Sequence, residues 1–320
     1  MPDVVRITDV SPRDGLQNEP GVIPTAQKAR LIELLCATGV DEVEVTSFVS
    51  PKWVPQLGDA AELFSRLKSL AVSENSRPGV HNTPMFSALV PNERGMQSAL
   101  DVLRTWPGRL GKVSVFTAAS EAFSLKNTNA SIAETIDRFG PVIAAAHGAG
   151  LAVRGYVSCV VACPFEGAVA PARVAEVVRR LASLGIDELD LGDTIGAGSP
   201  ESITAMLDAV GGVWRVRAGP GTSHADMKTT LHLHDTFGRA PACVEAALAS
   251  GVRSFDGAVS GLGGCPYAST PHRRAPGNID TKLLVETIHR AGFTTGVDLA
   301  RLDEAAAYAR EIVAASRAGA

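Results

Sequence analysis

Short runs of β-branched and apolar residues alternate along the chain with longer stretches in which apolar residues recur every three or four positions. The first pattern predicts strands and the second predicts amphipathic helices. The predicted strands are residues 4–10, 42–46, 85–90, 112–117, 152–159, 188–191, 228–234 and 254–259. The predicted helices are residues 25–38, 58–70, 93–104, 131–147, 172–184, 200–210, 239–250 and 280–291.

Eight successive strand–helix pairs predict an α/β fold, a closed (β/α)8 TIM barrel rather than an open doubly wound sheet. A Gly-x-Gly-x-x-Gly motif after the first strand is missing, which disfavours dinucleotide binding. We assign residues 1–293 to the barrel and the Ala-rich residues 294–320 to a C-terminal helical extension, which we expect over the barrel bottom or against a partner subunit. Residues 211–226 are expected to form a surface excursion rather than a domain.

Composition narrows the class of protein. The net charge of −4 disfavours nucleic acid as a partner. Five cysteines, an odd number without the spacing of a disulfide scaffold, indicate a reducing compartment. No signal peptide precedes the first predicted strand, and no apolar run approaches the roughly 20 residues of a membrane span. We therefore expect a cytoplasmic protein that binds neither membrane nor nucleic acid.

Two histidines, His232 and His234, end the seventh predicted strand. Side chains two positions apart on a strand share one face, with Cα atoms about 6.5–7 Å apart, so both rings can reach one cation. Imidazole is the commonest metal ligand in proteins. On this stretch alone, an exposed edge strand with two surface histidines remains an alternative.

The order of the predicted strands places two further potential metal ligands, a carboxylate and an amide, near the two histidines. The active site of a (β/α)8 barrel forms on the loops that follow the strands, and strands seven, eight and one are neighbours once the barrel closes. Asp14 follows strand one, and Asn278 follows strand eight. A carboxylate, two imidazoles and an amide oxygen favour Mg²⁺ or Mn²⁺, with Zn²⁺ or Co²⁺ also compatible.

Five segments together resemble the 3-hydroxy-3-methylglutaryl-CoA lyase family. They are Ser-Pro-Arg-Asp-Gly-Leu-Gln-Asn-Glu (11–19), Glu-Val-Thr-Ser-Phe-Val-Ser-Pro-Lys-Trp-Val-Pro-Gln (44–56), Gly-Asp-Thr-Ile-Gly (192–196), His-Leu-His-Asp-Thr (232–236) and Gly-Leu-Gly-Gly-Cys-Pro-Tyr (261–267). The second and fifth segments are the most specific to the lyases, whereas the Arg-Asp and His-x-His elements belong to a wider group of metal-dependent barrels. The match runs from Val5 to about Phe293.

The resemblance implies metal-dependent retro-Claisen cleavage of a 3-hydroxy-3-methylglutaryl-type thioester to acetyl-CoA and acetoacetate. It implies that the metal ligands are Asp14, His232, His234 and Asn278. Arg13 would stabilise the thioester enolate, Cys265 would protonate its carbon, and the carboxylates of Glu44 and Asp193 would hold Arg13, a metal-bound water or the substrate hydroxyl. An acyl-CoA substrate is implied, and a homodimer or higher homo-oligomer is left open.

Several of these residues have structural alternatives. Arg13 and Asp14 could form a salt bridge that closes a turn. Cys265 could be a buried apolar residue. Glu44 could pair with a lysine or arginine, and Asp193 could cap the following helix.

Two stretches depart from the family pattern, and both concern the CoA end of the substrate. The loop between Cys265 and Asn278 is a few residues longer than expected, and Pro20 stands where the family tends to carry a lysine. Arg273 and Arg274 in the longer loop suit CoA phosphates, but a solvated charged loop is equally compatible. Lys52 and Lys126 are candidates to replace the missing lysine.

Other functions remain compatible with this pattern. The nearest are lyases for citramalyl-CoA or a longer branched glutaryl-CoA, and a Claisen-type synthase, which the absence of a long C-terminal regulatory domain disfavours. A metal-dependent hydrolase is disfavoured because its His-x-His pair usually follows the first strand. A catalytically silent acyl-CoA-binding barrel finds no support in the predicted rim residues.

Overall fold

The computed structural model describes residues 3–69, 83–218, 228–264 and 277–319 and contains a closed barrel of eight parallel strands. In chain order the barrel strands, numbered one to eight below, are Arg6–Asp9, Glu42–Ser47, Met85–Leu89, Lys112–Ala118, Ala152–Ser158, Glu188–Asp193, Thr229–Leu233 and Ser254–Gly257. Each strand pairs with the next, and strand eight pairs with strand one. The predicted (β/α)8 barrel is confirmed, with strand limits within two residues of the sequence-based ones.

Helices surround the barrel. They are Thr25–Cys36, Ala60–Arg66, Glu93–Thr105, Glu121–Thr128, Ile132–Asp137, Phe139–Gly148, Pro171–Ser183, Pro200–Ala218, Ala240–Ala249, Thr281–Arg290 and Leu299–Ala318. A small antiparallel ribbon joins Ala162–Cys163 to Gly167–Ala168. Every helix predicted from the sequence has a counterpart among these.

Three sequence-based expectations about helices were wrong. The single helix predicted over 131–147 is two helices, because Pro141 has no N–H to donate to the preceding turn. No helix is predicted between the fourth strand and residue 131, yet this segment contains the helix Glu121–Thr128, whose first turn the Ser120 hydroxyl caps at the Phe123 amide. Residues 211–218 continue the helix Pro200–Ala218 instead of forming an excursion; residues 219–226 lie outside the described residues.

Side chains on the strands alternate between two surroundings. On strand two, Val43 and Val45 are fully buried in the apolar core, and the alternate positions carry Glu42 and Glu44, which point into the barrel. Lower in the barrel, Lys112 Nζ lies 2.6 Å from Glu42 Oε2 and also contacts Glu188. The barrel interior is therefore a network of buried charges within an apolar shell.

The C-terminal helix Leu299–Ala318 lies against the helix Thr25–Cys36 on the flank of the barrel. Its Ser316 hydroxyl donates to the Gly21 carbonyl at 2.7 Å, and Arg317 pairs with Glu19 at 2.8 Å. Both partners belong to the loop after strand one, on the C-terminal side of the barrel. The extension begins at the barrel bottom, where the Asp298 amide donates to the Thr38 carbonyl at 2.7 Å, and its helix runs along the flank to the opposite end. Contact of this helix with a partner subunit stays a prediction.

None of the helices in the described residues combines the length and the hydropathy that a membrane span requires.

Candidate active site

Asp14, His232 and His234 converge at the C-terminal end of the barrel. A ligand-type atom of each lies within 4.8 Å of those of the other two. The two imidazole Nε2 atoms are 3.3 Å apart, and His232 Nε2 is 3.9 Å from Asp14 Oδ2. Strand seven places the two rings, and the irregular turn Ser11–Gly15 after strand one places the carboxylate.

Asn278 joins this cluster through the backbone and its side chain. Residue 278 forms an antiparallel bridge with His234, and its Nδ2 donates to Asp14 Oδ2 at 2.8 Å. Its Oδ1 is buried and has no hydrogen-bond partner in the described part of the chain. The four residues that the sequence predicts as metal ligands are thus brought together.

The arrangement fits a divalent cation. Two nitrogen donors at right angles around one ion, each about 2.1 Å from it, lie about 3 Å apart, close to the 3.3 Å between the Nε2 atoms. Two nitrogens facing each other without a shared proton or cation would repel. The Oδ1 atom of Asn278, which has no hydrogen-bond partner among the described residues, offers a further ligand atom for the cation.

The protonation states suit ligation as well. Burial, followed by the neighbouring His232, lowers the pKa of His234 to about 4, so its ring is neutral near pH 7. Burial alone would raise the pKa of Asp14, but the positive charge of Arg13, followed by interactions with His232 and His234, lowers it to about 2. One carboxylate and a neutral imidazole therefore face the same point.

Arg13 lies beside the cluster and is held from two sides. Its Nε donates to Glu44 Oε2 at 2.5 Å, and its Nη1 donates to Asp14 Oδ1 at 2.8 Å. The guanidinium also lies over the Tyr156 ring, 5.5 Å from its centroid. Arg13 and Asp14 do form the salt bridge of the structural alternative, but it is partly buried at the candidate site and fixes the orientation of the Arg13 guanidinium.

Asp193 has a different set of contacts. Its two carboxylate oxygens accept from the backbone amides of Ala197 and Gly198, at 3.0 and 2.7 Å. Burial raises its pKa, although both of these hydrogen bonds oppose the rise. In this structure Asp193 fixes the loop after strand six, ahead of the helix that begins at Pro200, so its contacts resemble the capping alternative.

Gly263 closes the site from the strand-eight loop. Its φ is +103°, and a Cβ atom built on it would lie 2.7 Å from Asn278 Nδ2 and 3.4 Å from Asp14 Oδ2. Both the backbone conformation and the space require glycine here. Gly263 of the Gly-Leu-Gly-Gly-Cys-Pro-Tyr segment thus lets the loop approach the four predicted metal ligands.

The predicted CoA-binding and acid residues are only partly described. Lys52 and Lys126 are both exposed, in the segments after strands two and four, on the same side of the barrel as the ligand cluster. Cys265, Arg273 and Arg274 lie outside the described residues. Their proposed roles stay predictions.

Three buried residues near the site were missed by the sequence reading: Arg154, Tyr156 and Asp256. The Tyr156 hydroxyl lies 3.3 Å from Glu44 Oε2 and 3.4 Å from Asp256 Oδ2. Asp256 Oδ2 also lies 3.2 Å from His232 Nδ1. The sequence does contain a signal for these residues, because charged residues at alternate positions of an otherwise apolar strand point into the barrel.

Comparison with known proteins agrees with this geometry. Residues 4–308 match the model of the HMGL-like family. The chain is 46% identical over 297 residues to the hydroxymethylglutaryl-CoA lyase of Pseudomonas mevalonii, covering 92% of this chain and 88% of that protein. It is 44% identical over 308 residues to the mitochondrial hydroxymethylglutaryl-CoA lyase of Bos taurus, covering 96% of this chain and 85% of the relative.

A solved structure adds the same result in three dimensions. The crystal structure of the HMG-CoA lyase from Brucella melitensis superimposes with a TM-score of 0.83 at 43% identity, over 98% of this chain and 99% of that one. The relatives include proteins named as mitochondrial and as cytoplasmic, so the cytoplasmic location stays a prediction. The ligand cluster, the barrel and the similarity over nearly the whole length agree: the chain belongs to the HMGL-like family.

Proposed function

We propose that this protein is a carbon–carbon lyase that cleaves 3-hydroxy-3-methylglutaryl-CoA to acetyl-CoA and acetoacetate with the help of a divalent cation. The observation that carries the proposal is the convergence of Asp14, His232, His234 and Asn278 beside the Arg13 guanidinium. The names of relatives that match most of the chain support the same substrate.

The reaction makes defined demands on the site. The bond between C2 and C3 of the acyl chain breaks, and the 3-hydroxyl loses its proton as C3 becomes the ketone of acetoacetate. The electron pair of the broken bond stays with C2 and the thioester carbonyl as an enolate. That enolate takes a proton at C2 and becomes acetyl-CoA.

The proposed ligands of the cation are Asp14, His232, His234 and Asn278. When bound, a divalent cation would supply positive charge that lowers the cost of removing the hydroxyl proton. The oxygen and imidazole donors favour Mg²⁺ or Mn²⁺. The neutral ring of His234 and the ionised carboxylate of Asp14 are the forms that ligation requires.

Arg13 is proposed to stabilise the enolate. Its planar fork is positioned in advance by Glu44 and Asp14, so little reorganisation is needed when negative charge develops on the thioester oxygen. Burial of Arg13 reduces screening by water and strengthens that interaction. The contact with Glu44 gives that carboxylate the role of holding Arg13.

The remaining roles rest on the family resemblance. Cys265 is proposed to protonate the enolate carbon, and Asp193 to hold a metal-bound water or the substrate hydroxyl in position. Lys52, Lys126, Arg273 and Arg274 are proposed to meet the phosphates of CoA. An acyl-CoA is the proposed partner, and self-association remains open.

A panel of acyl-CoA substrates tests the proposal. The purified protein is supplied with Mg²⁺ or Mn²⁺ and with 3-hydroxy-3-methylglutaryl-CoA, citramalyl-CoA or a longer branched 3-hydroxyglutaryl-CoA, and acetyl-CoA is measured by mass spectrometry. We expect the fastest release from the first substrate, loss of activity with a chelator and recovery on adding the cation. Faster release of acetyl-CoA from another substrate would assign that acyl chain as the substrate. No release of acetyl-CoA from any of them would contradict the assignment as a lyase.

The variant His234→Ala tests the ligand set directly. We expect loss of bound Mn²⁺ and of activity in a folded barrel, because one of the two facing imidazoles is removed. His289→Ala, on the exposed face of the helix Thr281–Arg290, is the matched control and should keep both. Full Mn²⁺ occupancy in His234→Ala would refute the assignment of the ligands.

A further inference from the structure

We propose that Asp256 is a positioning residue that sets the tautomer and orientation of His232 and thereby the metal affinity of the site. The inference rests on the proposed function, since it takes His232 to be a metal ligand. Asp256 lies beside His232 in the barrel and is not among the four proposed ligands.

The sheet register places the two residues side by side. Asp256 on strand eight pairs with His232 on strand seven, so both side chains point into the barrel at the same level. Asp256 Oδ2 lies 3.2 Å from His232 Nδ1. The other ring nitrogen, Nε2, faces His234 and Asp14.

The groups around Asp256 fix which atom carries the proton. Arg154 Nη1 donates to Asp256 Oδ1 at 3.1 Å and to Oδ2 at 3.3 Å, and the Tyr156 hydroxyl lies 3.4 Å from Oδ2. With the positive charge of Arg154 against it, Asp256 is held as a carboxylate, which can only accept. His232 must therefore carry its proton on Nδ1, which leaves the lone pair of Nε2 for the cation.

The second histidine has no such support. His234 Nδ1 is buried and lacks a hydrogen-bond partner within the described part of the chain. Of the two imidazoles, His232 is thus the one whose ring the protein itself orients. This difference makes Asp256 a distinct point of control over the ligand cluster.

The variant Asp256→Asn separates the effect of Asp256 on the His232 tautomer from its effect on packing, because asparagine has nearly the same shape as aspartate. The one amide oxygen is drawn to Arg154, which turns the NH₂ group towards His232 Nδ1. That nitrogen must then accept, and the proton moves to Nε2, the atom meant for the cation. We expect the Mn²⁺ dissociation constant to rise about 10- to 100-fold.

The matched control is Asp190→Asn. Asp190 is as buried as Asp256 and also accepts from Arg154 Nη1, at 3.3 Å. It makes no hydrogen bond with His232 among the described contacts. Asp190→Asn changes a buried carboxyl group to an amide of the same shape beside the same arginine, and it should keep the Mn²⁺ affinity within about threefold.

Three measurements test the proposal. The first is the Mn²⁺ dissociation constant by electron paramagnetic resonance. The second is the Mn²⁺ concentration for half-maximal activity, which should rise in Asp256→Asn while kcat at saturating Mn²⁺ stays within about threefold. A purely structural defect would lower the active fraction without moving that concentration.

The third measurement is made on the unaltered protein, and a variant serves only to assign the signal. Nitrogen NMR of the metal-free protein, with the signal assigned by His232→Ala, should show His232 protonated at Nδ1. Protonation at Nε2 would overturn the proposal, as would wild-type Mn²⁺ affinity in Asp256→Asn or an equal loss in Asp190→Asn. If His234→Ala loses metal while Asp256→Asn does not, the proposed function stands and only this inference fails.

Discussion

Replacing Gly263 with alanine should damage the ligand cluster although none of the four proposed ligands is replaced. The new Cβ would sit 2.7 Å from Asn278 Nδ2, whereas ordinary van der Waals contact begins at about 3.4 Å. The amide must therefore retreat by roughly 0.7 Å, the difference between those two distances. That movement stretches the 2.8 Å hydrogen bond from Asn278 Nδ2 to Asp14 Oδ2 beyond its useful range.

The size of the effect follows from the bond that is lost. A hydrogen bond to a charged group contributes about 1.5–3 kcal/mol, which corresponds to about 10- to 150-fold in an equilibrium constant. We therefore expect the Mn²⁺ dissociation constant of Gly263→Ala to rise by that factor. The positive φ adds about 1–3 kcal/mol of strain to the folded state.

Gly185→Ala is the control that isolates the contact from the strain. Gly185 has a φ of +96°, close to that of Gly263, yet its Cβ would meet only His147 Cε1 at 3.9 Å. Both variants should lose similar unfolding free energy in urea titrations. Only Gly263→Ala should lose Mn²⁺ affinity, measured by electron paramagnetic resonance; wild-type affinity in both would refute the packing argument.

Two further variants test other parts of the structure. Arg13→Lys should lower kcat by orders of magnitude with KM little changed, since a point charge cannot hold both Glu44 and Asp14; steady-state kinetics showing an unchanged kcat would remove its proposed role. Asp9→Asn tests a pH dependence. Burial raises the pKa of Asp9 to about 6, so Asp9 ionises at a lower pH in the unfolded chain than in the folded one. The free energy of unfolding should therefore fall by roughly 3 kcal/mol as the pH rises from about 4 to about 6. The asparagine variant should lack that fall in urea titrations at pH 4 and pH 7. If its free energy of unfolding differs from that of the wild type by the same amount at both pH values, the proposed effect of Asp9 is refuted.

Much of the site was predictable because its signals are local. The alternation of strand and helix patterns gives the barrel, and the end of each strand is where its loop begins. Asp14, His232, His234 and Asn278 lie at such ends, so the order of strands alone brings them together. The ligand types then follow from the chemistry of each side chain.

Other features depend on neighbours that only folding supplies. Arg154 and Asp256 are 102 positions apart, and their pairing appears only when strands five and eight face each other across the barrel. A buried charge needs a partner, but the sequence does not state which of several will be within reach. The same holds for Asp193, whose contacts are with backbone amides of its own loop.

The sequence by itself determined the periodic pattern, the closed barrel and the set of residues at its rim, because these follow from spacing along one chain. Tertiary structure decided the atomic contacts: which nitrogen of His232 faces Asp256, why Gly263 must lack a side chain, and that the C-terminal helix contacts the loop after strand one. The physical reason is that hydrogen bonds and close packing act over a few ångströms, between residues that lie 24 positions apart in the chain (His232 and Asp256) or as many as 298 (Glu19 and Arg317).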